Sequence, residues 1–345
     1  MILKRIVRIT FGLAVVMFSG CSVIDEDLSD CDEALMLDYD LHLITNLSIE
    51  LQKEFDRQAD ANLLKALRSY LSPVFTDYAR DIHLSFYDVQ AGAPLLHQEQ
   101  HQMDANEMSY ALFLPYRQYM HMATANVDDN GTATLEGSDY RHTAGLLQPR
   151  SDTVRTHKTG LFTARKMLQV EKGDQKTEYV HLYMANCAAG LVLDTSEATL
   201  KDLKVLATGF ASGFNIADSS YVYSDNPQMV VADKVNTGNN GQQCFCTINF
   251  PSPEPGTTRT VTETEEPFIS PDAPNALWQF RVYATLSDGK VTESVLGVKK
   301  PLRAGQLKII HARVYKNSAL EPDEPEVAVS ITLDWKEAGN YPVPL

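Results

Sequence analysis

The sequence is poor in positive charge: of 345 residues, 30 are Lys or Arg against 45 Asp or Glu, a formal charge of −15. A surface so short of cations cannot follow a phosphate backbone, which excludes nucleic acid as a partner. Long apolar runs are also missing. The longest, Ile9 to Phe18, is ten residues, half of the ~20 that a membrane-crossing helix needs. Neither a Walker loop nor a dinucleotide fingerprint occurs, so there is no phosphate cradle and no small-molecule substrate is expected. Helical periodicity is confined to one segment, which disfavours α/β architectures whose parallel strands need a helix in every crossover. What remains is an ordinary globular composition, 44% hydrophobic and 22% charged with 18 Gly and 16 Pro, in a chain long enough for two domains.

The N-terminus carries an export layout. Lys4, Arg5 and Arg8 precede the apolar run, and Ser19-Gly20 are small residues directly before Cys21. The segment resembles the bacterial lipobox, with Phe18 where Leu is usual; the resemblance implies removal of residues 1–20 and acylation of Cys21. Cleavage there removes three cations and no acid, taking the charge from −15 to about −18. The attachment is then the covalent lipid on Cys21, with no other cofactor, and two or three acyl chains suffice for stable anchoring. Residues 21–33 include six acids, Asp25, Glu26, Asp27, Asp30, Asp32 and Glu33, and read as a tether.

Residues 34–172 are assigned to an N-terminal domain. Leu35, Leu37, Tyr39, Leu41 and Leu43 alternate with Asp38, Asp40 and His42, the period of a half-buried strand. From Leu47 to Leu71 apolar residues recur every four positions, which predicts one amphipathic helix over 47–71 that Pro73 ends. Strands follow at Ile82 to Val89, Met108 to Leu114 and Tyr119 to Val127; Asp128 to Asp174 is weakly periodic and reads as loops around the domain boundary. Residues 173–345 hold nine further strand candidates, Tyr179 to Asn186, Gly190 to Asp194, Asp202 to Thr208, Gln228 to Ala232, Cys244 to Phe250, Leu277 to Leu286, Lys290 to Val298, Gln306 to Tyr315 and Val327 to Trp335, without a long helix. The class is mainly β, with an antiparallel sandwich in each half.

Chemistry-bearing clusters read as structural. Cys31, Cys187, Cys244 and Cys246 fit core thiols or one disulfide better than zinc, because only Cys244 and Cys246 form a close pair. His97 and His101 fall in a segment that reads as solvated loop, and Gly209 to Gly213 is one residue away from a nucleophile elbow and reads as a turn. The acidic run Thr260 to Glu266 reads as an exposed loop. No metal, cofactor-binding or catalytic constellation is assigned, and a non-enzyme is expected.

Two end motifs carry a family resemblance. Cys21 to Cys31 (CSVIDEDLSDC) followed by Leu37-Asp38-Tyr39-Asp40, and Val329 to Tyr341 (VSITLDWKEAGNY), resemble the ends of the FimB/Mfa-type fimbrial subunits of Bacteroidota; the middle is matched by architecture alone. The resemblance implies two transthyretin-like antiparallel β-sandwiches in an outer-membrane lipoprotein that anchors or initiates a surface fimbria, with shaft subunits and the outer membrane as partners. Shaft subunits of the family are trimmed after an early Arg; here the first Arg after Cys21 is Arg57, inside the expected helix, which favours an uncleaved anchor over a shaft or tip subunit. The candidate polymer-contact strand carries Val327, Val329, Ile331 and Leu333, and could equally be an edge strand of the second domain. Asp152-Thr153-Val154 is similar to Bacteroidota O-glycosylation sites, with Thr153 as acceptor. A glycan-binding lipoprotein of a polysaccharide-uptake system is the alternative, using Trp278, Trp335, Tyr221 or Tyr223 as stacking platforms.

Overall fold

The computed structural model describes residues 34–44, 47–58, 60–76, 79–89, 94–103, 109–137, 145–172, 176–224, 227–255, 258–261, 264–267, 276–324 and 327–332. The residues at Cys21, Cys31, Leu333 and Trp335 lie outside them. The protein is mainly β, built as stacked sheets in sandwich-like layers. Among the described residues no helix is long and apolar enough to cross a membrane.

The first layer is a seven-stranded sheet in the order Leu95–Gln102, Asp81–Asp88, Gln118–Ala125, Phe162–Gln169, Thr177–Met184, Ala34–Ile44, Ser109–Pro115. Its inner face contributes Leu37, Tyr39, Leu41, Leu84, Phe86 and Leu182, all essentially buried. Against them lie two helices, Leu47–Asp56 and Ala61–Leu71. The single helix expected over 47–71 is therefore corrected to a pair. Its break has a local cause: Asp60 is extended (φ −87°, ψ 111°), and its carboxylate accepts from the amides of Asn62 and Leu63, which starts a new helix. The i, i+4 spacing survives the break because Leu63, Leu67 and Leu71 still line one buried face. Arg68 holds the two helices together, with its guanidinium 5.1 Å from the Phe55 ring centre and bonded to Gln52 Oε1 at 3.3 Å.

The helices join the halves of the molecule rather than cover one of them. Their core is continuous with Val192, Cys244, Cys246, Ile248, Leu307 and Ile309 of a five-stranded sheet. That sheet runs Asp233–Val235, Gln242–Asn249, Cys187–Asp194, Leu307–Val314, Leu320–Pro322. Its other face meets a six-stranded sheet ordered Val327–Thr332, Val291–Val298, Trp278–Leu286, Leu200–Thr208, Met229–Val231, Thr153–Arg155. Leu191, Phe245 and Ile310 from one sheet and Trp278, Phe280, Val282 and Leu296 from the other fill the space between them. Burial on both faces explains why Cys187–Asp194 reads CAAGLVLD, a continuous apolar run.

All nine strand candidates of the second half are strands. Several expectations for the rest are corrected. Thr177–Met184, counted with the second half on the sequence, lies in the first sheet and pairs in parallel with Ala34–Ile44. Cys187–Asp194 with Leu307–Val314, and Met229–Val231 with Thr153–Arg155, are parallel too. The partners are far apart in sequence, so the chain returns by way of other layers and no dedicated crossover helix is required. The stretch 128–174, read as loops, supplies Phe162–Gln169 to the first sheet, Thr153–Arg155 to the six-stranded sheet, and Thr134–Glu136 and Gly145–Leu147 to a small sheet with Gly213–Asn215 and Ser220–Val222. The acidic run 260–266 is part of a two-stranded ribbon, Thr258–Val261 against Thr264–Pro267.

Two glycines are dictated by close approach. At Gly160 a Cβ would stand 1.9 Å from the Val74 carbonyl oxygen, at the end of the second helix. Gly209 has φ +93°, and a Cβ would meet Leu277 O and Trp278 Cα at 2.7 Å, so the expected turn is fixed onto the strand beneath it.

Candidate assembly surfaces

Sheet edges and exposed sheet faces are the parts of this fold that can bind another chain. Among the described residues Val327–Thr332 is an edge strand, bonded within its sheet to Val291–Val298, in the register Val327 to Val298, Val329 to Leu296 and Ile331 to Ser294. The described part of the C-terminal run, Val327–Thr332, lies at the edge of this sheet, and Leu333 onward lies outside the described residues. Val327 is buried in the sandwich core, and its amide donates to Glu324 O at 3.2 Å as the chain crosses between sheets. The opposite edge is Thr153–Arg155. Thr153 is half-buried and paired with Met229 rather than in a free loop, and the preceding turn is pinned by Gln228 Nε2, which donates to Pro149 O and Ser151 O at 2.6 and 2.7 Å.

The first sheet offers two more edges, Leu95–Gln102 and Ser109–Pro115. The former is where a solvated loop was expected. Its alternation puts His97, Glu99 and His101 on one face, and the Glu99 carboxylate lies 2.7 Å from His97 Nε2 and 2.8 Å from His101 Nε2. The two imidazoles thus share one acid.

Beside the Ser109–Pro115 edge, the sheet's outer face is aromatic and open. Thr177–Met184 alternates strictly, Val180 and Leu182 inward, Tyr179 and Tyr183 outward with 51% and 55% exposure. Phe113 on the edge strand is 63% exposed and Met167 45%. His42 stacks on Tyr179 (5.8 Å between ring centres, 15° between planes) and on His181 (6.1 Å, 27°). Sequence reasoning missed this patch, although the alternation of TEYVHLYM carries it. A patch of adjoining aromatics on a soluble face marks an interaction surface.

Of the aromatics named for glycan stacking, Trp335 lies outside the described residues, Trp278 is buried, and Tyr221 and Tyr223 are half-buried. The Trp278 indole N–H donates to Lys300 O at 2.9 Å, and the hydroxyls of Tyr221 and Tyr223, packed against a third core cluster, donate to Ala185 O and Ser252 O at 2.9 and 3.0 Å. Cys187, Cys244 and Cys246 are free and buried. Cys244 and Cys246 face the helices while Cys187 faces the sandwich interior, and burial pushes the Cys187 thiol up, away from reactivity.

One groove, of about 390 Å³, lies between the first helix and the second sandwich and gathers Lys53, Arg57, Lys300, Arg303 and Lys308. Its charge is largely compensated from within: Arg57 pairs with Glu54 at 3.0 Å, Lys308 with Glu324 at 2.8 Å and Arg303 with Glu254 at 2.6 Å. It acts as a seam. Glu54, 7% exposed, accepts from the Ile309 amide at 3.0 Å, His311 Nε2 is 2.6 Å from Gln58 Oε1, and Tyr70 donates to Asp233 at 2.9 Å.

No family model and no curated protein matches the sequence. Among solved structures, the chain is similar to a candidate adhesin from Bacteroides ovatus (12% identity, 81% of this chain and 87% of that one, TM-score 0.48). It is also similar to the fimbrial anchor protein Mfa2 of Porphyromonas gingivalis (9%, 86% and 97%, TM-score 0.45) and the C-terminally truncated tip fimbrial protein Mfa3 of the same organism (14%, 86% and 99%, TM-score 0.36). The structural neighbours of this chain include fimbrial and adhesin proteins of Bacteroidota and a candidate polysaccharide-binding protein from Bacteroides thetaiotaomicron (10% identity, 85% of this chain and 97% of that one, TM-score 0.46).

Proposed function

We propose that this chain is a structural subunit of a surface fimbria, held in the outer membrane by acylated Cys21 and joined to its neighbours by strand addition. The observation that carries the reading is the edge strand Val327–Thr332, bonded on one side to Val291–Val298. An edge of this kind presents unpaired backbone groups to which an incoming strand adds, main-chain bonds giving affinity and alternate side chains giving specificity. The export layout ending at Cys21 supplies the compartment, and the acidic spacer after it supplies reach. The position of the first later Arg, Arg57, at the end of the first helix and in an ion pair with Glu54, favours an untrimmed anchor over a shaft or tip subunit. The role is mechanical, with no chemical step.

The test is the intact mass and N-terminal peptide of the protein from sheared fimbriae and from outer membranes, side by side. A chain beginning at acylated Cys21, retained in the membrane and co-purifying with a fimbrial subunit, is the expected result. A delipidated chain trimmed after an Arg and recovered in the sheared polymer makes it a shaft or tip subunit. Fimbria length and attachment unchanged by deletion of the gene overturns the reading.

A further inference from the structure

At the Leu95–Gln102 edge of the first sheet, three potential metal ligands converge from two separate segments. Asp81 and His83 stand two residues apart on one strand and therefore on one face; Asp128 arrives from the turn after Gln118–Ala125. One ligand atom from each lies within 4.8 Å of the others. His83 Nε2 is 2.9 Å from Asp128 Oδ1 and 3.7 Å from Asp81 Oδ1, bracketing the ~3.3 Å between ligands that tetrahedral bonds of about 2.0–2.1 Å require.

The turn is built to hold this arrangement. Asp81 Oδ1 accepts from the amides of Val127 and Asp128 at 2.9 and 3.4 Å, and Asn126, at φ 61°, returns its amide to Asp81 O at 3.1 Å. The independent observation is the other oxygen of the same carboxylate. Asp81 Oδ2 is buried and has no hydrogen-bond partner, on a side chain 1% exposed. A buried carboxylate oxygen left unpaired is costly unless a proton or a cation meets it. Gln100 Nε2 donates to Asp128 Oδ2 at 2.7 Å from the neighbouring edge strand, the kind of outer bond that orients a ligating carboxylate.

We propose that Asp81, His83 and Asp128 bind one divalent transition cation of the zinc class, with a fourth position open to solvent, and that the cation ties the strand Asp81–Asp88 to the turn. One imidazole and two carboxylates suit zinc better than calcium or magnesium, which take oxygen ligands. The site is on a different sheet from the Val327–Thr332 edge that carries the proposed function, and its failure leaves that reading untouched.

The experiment is equilibrium dialysis of the full chain, stripped with chelator and freed of it, against Zn2+ alone, followed by thermal unfolding with and without the ion. Expected is one Zn2+ per chain and a higher unfolding temperature. His83→Ala and Asp128→Asn, both on partly exposed groups, should each abolish the saturable binding and the temperature shift, and Gln100→Ala should weaken binding ~10-fold. His97→Ala, on the same edge strand but outside the site, should leave both unchanged. Absence of saturable binding, or binding that survives the His83 and Asp128 changes or disappears with His97→Ala, overturns the proposal.

Discussion

Two strands of equal length show how differently the two halves use a sheet. Thr177–Met184, in the first sheet, buries every second residue and exposes the rest, including Tyr179 and Tyr183. Val291–Val298, in the six-stranded sheet, is buried at all eight positions although it contains Thr292, Glu293 and Ser294. The polar groups of the second strand are tolerated because they are met: Thr292 Oγ1 donates to Ser318 Oγ at 2.6 Å, and the Glu293 carboxylate accepts from Arg281 at 3.0 Å and Tyr283 at 2.8 Å. Full burial therefore reflects neighbours on both faces rather than hydrophobicity of the strand, and among the described residues part of the first sheet's outer face has no covering layer.

If that contrast holds, perturbations should scale with it. The largest effect is expected at Trp278: Trp278→Ala removes a fully buried indole from the sandwich and should cost about 3–5 kcal/mol in denaturant unfolding. Next is acidification. Burial holds His157 and His121 neutral in the fold, at about 3 and about 4 respectively, against 6.5 unfolded. Because the unfolded chain takes up protons first, their contribution is complete above pH 6.5 and is lost as pH falls toward 4 and then 3. Near pH 5 each should cost about 2 kcal/mol. Urea midpoints between pH 7.5 and 5 measure this, and His157→Asn should flatten the slope.

A smaller loss, about 1–3 kcal/mol, is expected for Glu54→Ala, which orphans the Ile309 amide at the seam. A double-mutant cycle with Lys308 separates the loss of that amide's partner from the ion pair, 3.9 Å apart. The least effect on stability, within ~0.5 kcal/mol, belongs to Tyr183→Ala on the open face. If the face is an assembly surface, the same change should lower co-purification with fimbrial subunits while leaving unfolding unaltered; a large stability loss there would mean that the face is covered in the folded chain.

Legibility followed the strength of the local pattern. Strands with alternating or continuous apolar residues could be read directly, including all nine in the second half. Leu95–Gln102 could not, because LLHQEQHQ is polar: an edge strand buries little, and its place is set by pairing with Asp81–Asp88 rather than by its own side chains. The break between the helices was hidden because the four-residue spacing of leucines runs through it, and only the Asp60 cap reveals it. The stretch 128–174 looked like linker because three of its strands are only three residues long, too few for a period to show, and the fourth, Phe162–Gln169, buries its residues without regular alternation.

By itself the sequence determined the acidic balance, the mainly β class and the inward residue of each strongly patterned strand. These are local properties, fixed by residue type and by the two-residue period of the extended chain. Only the tertiary structure decided which strands lie at edges, that the helices join two layers, that Trp278 is core and Tyr179 is surface, and that Asp128 meets Asp81 and His83 from 45 residues away. Those outcomes depend on which distant segments share a sheet or cover a face, and a strand's own residues do not encode its neighbours.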